Sequence, residues 1–220
     1  KSGHVRVYEW NGLAWVQKGS DIDGEAAYDY SGRTVTLSSD GTIVAIASAY
    51  NDGNGSNSGH VRVYKWNGSS WVQRGDDIDG EAAEDYSGIS VSLSSDATII
   101  AIGARQNDGN GDKSGHVRVY EWDSGNSSWI QKGNDIDGEA AEDFSGYSVS
   151  LSSDGSIVAV GAVGNDAKGS SSGHVKVYQF NFDSDGDGII DSEDLCYLIP
   201  NGMIGHSLID GKHHKTTDGG

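Results

Sequence analysis

The sequence contains one cysteine (Cys196), one proline (Pro200) and one methionine (Met203) in 220 residues. A single thiol cannot close an intrachain disulfide, so the fold is held by non-covalent forces. No apolar run approaches 18 residues, which excludes a membrane-spanning helix and argues against membrane insertion. Basic residues are scarce: 15 Lys and Arg stand against 33 Asp and Glu, a formal net charge of −18. Nucleic acid is therefore excluded as a partner, because phosphate binding needs a basic face, and anionic membrane surfaces are excluded with it. Such acidity suits divalent cations and a salty, extracellular setting. The chain has neither an initiator methionine nor a signal peptide and opens in mid-repeat at Lys1, which reads as a mature or truncated piece.

What the sequence does contain is repetition. Ser58-Gly59-His60-Val61-Arg62-Val63-Tyr64-Lys65-Trp66 has counterparts beginning at Ser2, Ser114 and Ser172, at spacings of 56, 56 and 58 residues. Asp-Ile-Asp-Gly recurs at 21–24, 77–80 and 135–138, and Ser-Ser-Asp at 38–40, 94–96 and 152–154. A fixed period of this size marks a repeat architecture, whose units stack because none can bury its own faces. The two extra residues of the third interval lie between Trp122 and Trp129, which marks that segment as a surface loop.

Four segments of one period carry strand signals: Thr34–Ser38, Thr42–Ser48, His60–Trp66 and Ser70–Arg74. The third alternates, with Val61 and Val63 on one side and His60, Arg62, Tyr64 and Trp66 on the other, a period of two that no helix produces. The second is continuously apolar with small residues, as in a strand covered on both faces. Asp40-Gly41, Asn67-Gly68 and the Asn51–Ser58 loop supply turns. Four antiparallel strands per period describe the blade of an all-β propeller. The chain then divides into a β-propeller region at 1–181, with a partial blade at 2–29 and blades at 30–85, 86–143 and 144–181. The last blade lacks its fourth strand. About three blades plus a part make an incomplete ring, to be completed by further blades or by a second copy in a homo-oligomer. Trp15, Trp71 and Trp129, and Tyr30, Tyr86 and Phe144, recur in register as packing between blades.

Asp143-Phe144-Ser145-Gly146-Tyr147-Ser148-Val149-Ser150-Leu151, Ile157-Val158-Ala159-Val160-Gly161-Ala162 and Gly173-His174-Val175-Lys176-Val177-Tyr178 together resemble the FG-GAP repeat, which builds the propellers of integrin α chains and of many bacterial surface proteins. The resemblance covers residues 1–181 and implies an extracellular, propeller-forming interaction domain, secreted or at the cell surface. Integrin-type blades carry a long calcium loop between their first two strands. This chain has only Ser38-Ser39-Asp40-Gly41-Thr42 and its equivalents there, so blade calcium sites of that kind are not expected.

After Phe182 the period ends. Asp183, Asp185, Asp187, Asp191 and Asp194 fall at positions 1, 3, 5, 9 and 12 of an acidic loop, with Gly188 at the turn and Ile189 placed to offer its backbone carbonyl. Ca²⁺ takes six to eight oxygens, and alternation in a tight loop aims every second carboxylate inward. Five carboxylates so spaced would repel one another without a cation. With Cys196 and Pro200-Asn201 following, residues 182–200 resemble a thrombospondin type 3 repeat, and 201–220 read as an irregular tail. Asn54, Asn67 and Asn126 each begin an Asn-x-Ser sequon for glycosylation.

Other features are read as structural before functional. His4, His60, His116 and His174 tempt a metal reading, yet each lies on its own blade, so the repeat separates them and a strand-edge His bonding a neighbouring loop is favoured. The Asp-Ile-Asp-Gly-Glu segments read as polar turns, with a weak cation site or a repeated ligand-binding lip as the alternative. Trp66 and Trp122 read as packing rather than as sugar platforms. His213-His214 can take transition metal adventitiously. The Gly-rich loops lack the lysine and the following helix of a phosphate site. No Ser or carboxylate is singled out from its repeat copies. These observations predict a calcium-binding adhesion or structural module for an extracellular protein or glycan, without catalytic activity of its own. A multivalent lectin or the accessory domain of a secreted enzyme are the alternatives.

Overall fold

In the computed structural model the described residues are 1–180 together with 206–209 and 212–215. Two compact units divide the chain, Lys1–Tyr178 and Gln179–Gly220. No helix occurs among the described residues. In the first unit, β1 (His4–Val5), β2 (Tyr8–Trp10), β3 (Trp15–Gln17) and β4 (Ile22–Asp23) form a leading partial blade, with β1 paired to β4 and β2 to β3. The second blade runs β5 (Thr34–Leu37), β6 (Ile43–Ser48), β7 (His60–Trp66), β8 (Trp71–Gln73), and β9 (Ile78–Asp79) pairs with the start of β7. The third blade repeats this order with β10 (Ser90–Leu93), β11 (Ile99–Ala104), β12 (His116–Asp123), β13 (Ser128–Gln131) and β14 (Ile136–Asp137). The fourth comprises β15 (Ser145–Leu151), β16 (Ile157–Ala162) and β17 (His174–Gln179). The pairings of the first three blades, and that of β15 with β16, are antiparallel, so the chain is an all-β assembly of propeller-type blades.

Two features depart from the sequence reading. Asp-Ile-Asp-Gly is a fifth strand as well as a turn: Ile78 sits opposite Val61 and Asp79 opposite His60, and Ile136 sits opposite Val117 in the same way. Two residues are too few to show a period, which hides the strand in the sequence. In the second unit, β18 (His206–Ile209) pairs antiparallel with β19 (Lys212–Lys215), where an irregular tail is read from the sequence. The Asp210-Gly211 dipeptide between them is a hairpin signal.

The continuously apolar second strand is explained by its neighbours. Ile43, Ala45 and Ala47 of β6, with Val61 and Val63 of β7, join one buried cluster with Leu93, Ile100, Ile102 and Tyr120 of the third blade. Val44 and Ile46, with Tyr64, join another with Val7 and Ile22 of the leading blade. Alternate residues of one strand thus pack against opposite neighbours. In the fourth blade, the last among the described residues, the same position lies bare: Val61 and Val117 are 0% exposed, but their counterpart Val175 is 67% exposed. Burying such a side chain is worth about 1.5–3 kcal/mol, so each blade depends on the next for its stability. Aromatic rings add to the stack, with Tyr50 edge-on to both Tyr30 and Tyr86 at 5.3 Å between centroids.

Backbone contacts fix the spacing between blades. Ser87 donates its backbone N–H to the Ser58 carbonyl at 2.9 Å, and Ser145 to Ser114 in the same way. At that crossing Gly59 has φ +75°, and a Cβ there would lie 2.2 Å from the Ser87 carbonyl oxygen. Gly68, at φ +100°, has open space around it. Gly68→Ala is therefore expected to cost only the left-handed backbone penalty, about 1–2 kcal/mol. Gly59→Ala adds the steric clash and is expected to cost at least about 2 kcal/mol more in denaturant unfolding. Equal losses would show that the crossing is loose.

Candidate functional site: the seams between blades

Each third strand begins with a His and carries Arg or Lys two residues on, and strand alternation places both on the face toward the preceding blade. In the second blade, Arg62 donates through Nη2 to the Asp23 carbonyl of the leading blade at 2.9 Å, and its Nη1 lies 3.3 Å from Glu25 Oε1. Arg118 does the same one blade later, to the Asp79 carbonyl at 2.6 Å and to Glu81 Oε1 at 3.5 Å. One Glu oxygen is thus held by Arg, and Oε2 faces the His ring: 3.9 Å from His60 Nδ1 in one seam and 3.8 Å from His116 Nδ1 in the next.

A second carboxylate arrives from the His residue's own blade. Gln73 Nε2 donates to Asp77 Oδ1 at 2.6 Å and Gln131 Nε2 to Asp135 Oδ1 at 2.6 Å. The free oxygens, Asp77 Oδ2 and Asp135 Oδ2, each lie 3.4 Å from the His Nδ1. Ligand atoms of Glu25, His60 and Asp77 all fall within 4.8 Å of one another, as do those of Glu81, His116 and Asp135. The repeat does separate the four His from each other, but it surrounds His60 and His116 with carboxylates of their own. That gathering is hidden in the sequence because each Glu lies 35 residues before its His. A fixed offset of Asp-Ile-Asp-Gly-Glu from Ser-Gly-His is its one trace.

In the leading blade Arg6 closes on Asp21, with Nε donating to Oδ1 at 2.9 Å and Nη2 to Oδ2 at 2.8 Å. At the fourth blade, Glu139 meets His174 Nδ1 at 3.8 Å and pairs with Lys176. His60 and His116 are both 1% exposed. Burial lowers the pKa of His60, and lowers that of His116 to about 4, so both rings are neutral at pH 7. Burial also raises the Glu81 carboxyl, helped by Asp135, Asp85 and Asp137 around it.

A second repeated feature lies along the outer edge. Trp71 Nε1–H donates to the Lys18 carbonyl at 2.7 Å and Trp129 Nε1–H to the Arg74 carbonyl at 3.0 Å, so these indoles latch each blade to the one before. Arg74 also covers Trp122 at 4.3 Å. Beside these latches run matched grooves: about 660 Å³ lined by Lys65, Trp66, Val72 and Arg74, about 560 Å³ at Trp122, Ile130 and Lys132, and about 300 Å³ at Trp10, Val16 and Lys18.

Of the residues singled out from sequence, Asp183, Asp185, Asp187, Ile189, Asp191 and Asp194 lie outside the described residues. The sequon amides have partners. Asn54 Nδ2 donates to the Gly80 and Glu81 carbonyls at 2.8 and 3.0 Å, bracing the loop that leaves its own blade. Asn67 and Asn126 bond within their own exposed turns, to Ser70 and Asp123. Asp40, in the short turn where integrin-type blades have a calcium loop, accepts from Ser38 Oγ at 2.6 Å and Thr42 N at 2.9 Å. These bonds hold its carboxyl down at about 2.

Residues 78–120 match the FG-GAP repeat family. A comparison with curated proteins returned no match. Among solved structures, a candidate 6-phosphogluconolactonase from Bacteroides uniformis superposes with a TM-score of 0.55 at 11% identity over 81% of this chain. A second, from Bacteroides fragilis, gives 0.44 at 11% identity over 63% of this chain and 35% of its own. The chain spans 44% of the length of the first. At such identity the likeness concerns the fold. It nonetheless corrects the expectation, drawn from near-identical blades, that the chain lacks catalytic activity: propeller-type blades of this kind are the fold of a protein described as an enzyme, so repetition is no ground for excluding one.

The buried imidazoles give the seams a pH signature. An unfolded His protonates near pH 6.5, whereas His116 in the fold does so near 4, so stability is full above about 6.5 and falls as pH drops toward about 4. Asp40 and Asp154, held at about 2, add a further loss between about pH 4 and 2. His60→Asn with His116→Asn is expected to flatten the upper limb alone, measured as unfolding free energy against pH. An unchanged upper limb would mean that the two rings take up protons equally in the folded and unfolded chain.

Proposed function

We propose that the chain is an extracellular interaction module that offers a partner the same outer-edge groove several times over. The recurrence of the groove at matched positions of three blades carries the reading. The FG-GAP repeat, typical of extracellular proteins, supports the setting, and no helix among the described residues is long and apolar enough to cross a membrane. The partner class is an extracellular protein or glycan, engaged weakly at each groove and firmly by several together, since linked sites raise avidity by about 10²–10⁴ without any new contact. Exposed Val175 and Val177 support stacking by a further blade or a second copy. The acidic run 183–194 is assigned Ca²⁺: its donors are all hard oxygens, with Gly188 at the turn.

Screening against extracellular proteins and a glycan array in calcium buffer is expected to yield a multivalent binder. Lys65→Ala, Ile130→Ser and Trp10→Ala, one for each groove, are expected to lower its apparent affinity modestly singly and more than tenfold together. Undiminished binding by the triple variant would overturn the groove reading. Calcium is expected to raise the Tm of the wild type and to leave an Asp185→Asn/Asp187→Asn variant unmoved. The same rise in both would remove calcium from 183–194.

A further inference from the structure

The polar seams remain over-provided for a purely structural clasp. An ordinary charge-assisted hydrogen bond brings N and O to about 2.7–2.9 Å. In both seams the His Nδ1 stops 3.4 Å short of the Asp oxygen aimed at it. His116 Nδ1 is fully buried and has no hydrogen-bond partner. A buried imidazole nitrogen left without a partner while it faces two carboxylate oxygens is a costly arrangement.

The separations suit an ion. With metal–ligand distances of about 2.0–2.2 Å for His nitrogen and carboxylate oxygen, the edge of a zinc tetrahedron is about 3.3–3.6 Å. The His–Asp separation of 3.4 Å lies on that edge. The His–Glu separations of 3.8–3.9 Å exceed it by a few tenths of an ångström, and the Glu side chains are 48% and 43% exposed and free to close that distance. Both carboxylates are already oriented by their other oxygens, Asp by Gln and Glu by Arg. Such outer partners fix ligand geometry in metal centres. Charge favours a cation as well: the Glu81 carboxylate feels Asp135, Asp85 and Asp137 against Arg118. The half-exposed Glu leaves an entry path from solvent, and a tetrahedral ion would keep one position for water or an outside ligand.

We propose that Glu25–His60–Asp77 and Glu81–His116–Asp135 are two copies of a divalent transition-metal site, zinc by its chemistry, each formed only where two blades meet. The assignment is independent of the calcium run at 183–194 and of the rim grooves. One ion in each seam ties the Glu of one blade to the His and Asp of the next.

The test is titration of the full chain with Zn²⁺, and with Co²⁺ as its spectroscopic stand-in, in millimolar calcium. About two sites per chain are expected, with visible Co²⁺ bands of a His- and carboxylate-bound ion. His60→Asn/His116→Asn is expected to abolish both, and Glu25→Gln/Glu81→Gln, whose amides can still accept from Arg62 and Arg118 and whose folding is checked by circular dichroism, to weaken each at least tenfold. A His213→Ala/His214→Ala variant is expected to retain both sites. Absence of zinc binding at hundreds of micromolar, binding unmoved by the Glu pair, or binding lost with His213 and His214 would each overturn the proposal.

Discussion

A blade here is a sheet with two apolar faces, and the constraint on the whole molecule is that only another blade can cover them. The second strand shows it most plainly: Val44 and Ile46 look toward one neighbour while Ile43, Ala45 and Ala47 look toward the other. Ile43 and Ile99 are 7% and 2% exposed with a blade on that side, and Ile157, their counterpart in the fourth blade, is 38% exposed. Nothing covalent assists, since the chain has one cysteine. Stability is then close to a sum of intrinsic blade terms and nearest-neighbour seams, as in other repeat proteins.

Once blades must meet, the polar residues at the seams acquire their geometry. The face of β7 that carries Tyr64 into one buried cluster carries His60 and Arg62 to the loop of the same preceding blade. Arg reaches the earlier Glu and carbonyl, and this leaves Asp77 to Gln73 and His60. In the leading blade, Arg6 pairs with Asp21 of its own blade. The seam is therefore where chemistry is created by assembly: neither blade alone holds a His flanked by two oriented carboxylates. Any activity seated there is multiplied by the repeat. That is one physical reason why near-identical blades, which resemble a fold also used by a protein described as an enzyme, say little about catalysis in either direction.

Much of the fold was legible because local pattern and tertiary demand agree. Val61 and Val63 alternate with His60 and Arg62, and the structure buries them toward opposite neighbours. The apolar run of β6 implied two covered faces, and it has them. Asp-Ile-Asp-Gly read as a turn because a two-residue strand has no period to display. The His–Asp–Glu clusters were not legible for a different reason: their parts come from two blades, and a sequence shows offsets but not which blade leans on which. The Trp pairs were read as packing, and Trp71 and Trp129 do bond to the blade before; the grooves beside them have no sequence signature. The proposal of calcium at 183–194 rests on donor spacing, and that segment lies outside the described residues.

The central claim, that blades are stable only through their neighbours, is tested most directly by native-state hydrogen exchange on an Ile100→Ala variant. Ile100 belongs to the third blade and is buried in the cluster shared with Val61 and Val63 of the second. Its truncation should cost about 2–5 kcal/mol. Amide protection is expected to fall in β6 and β7 of the second blade as well as in β10–β14. A loss confined to the third blade, with the second fully protected, would contradict it.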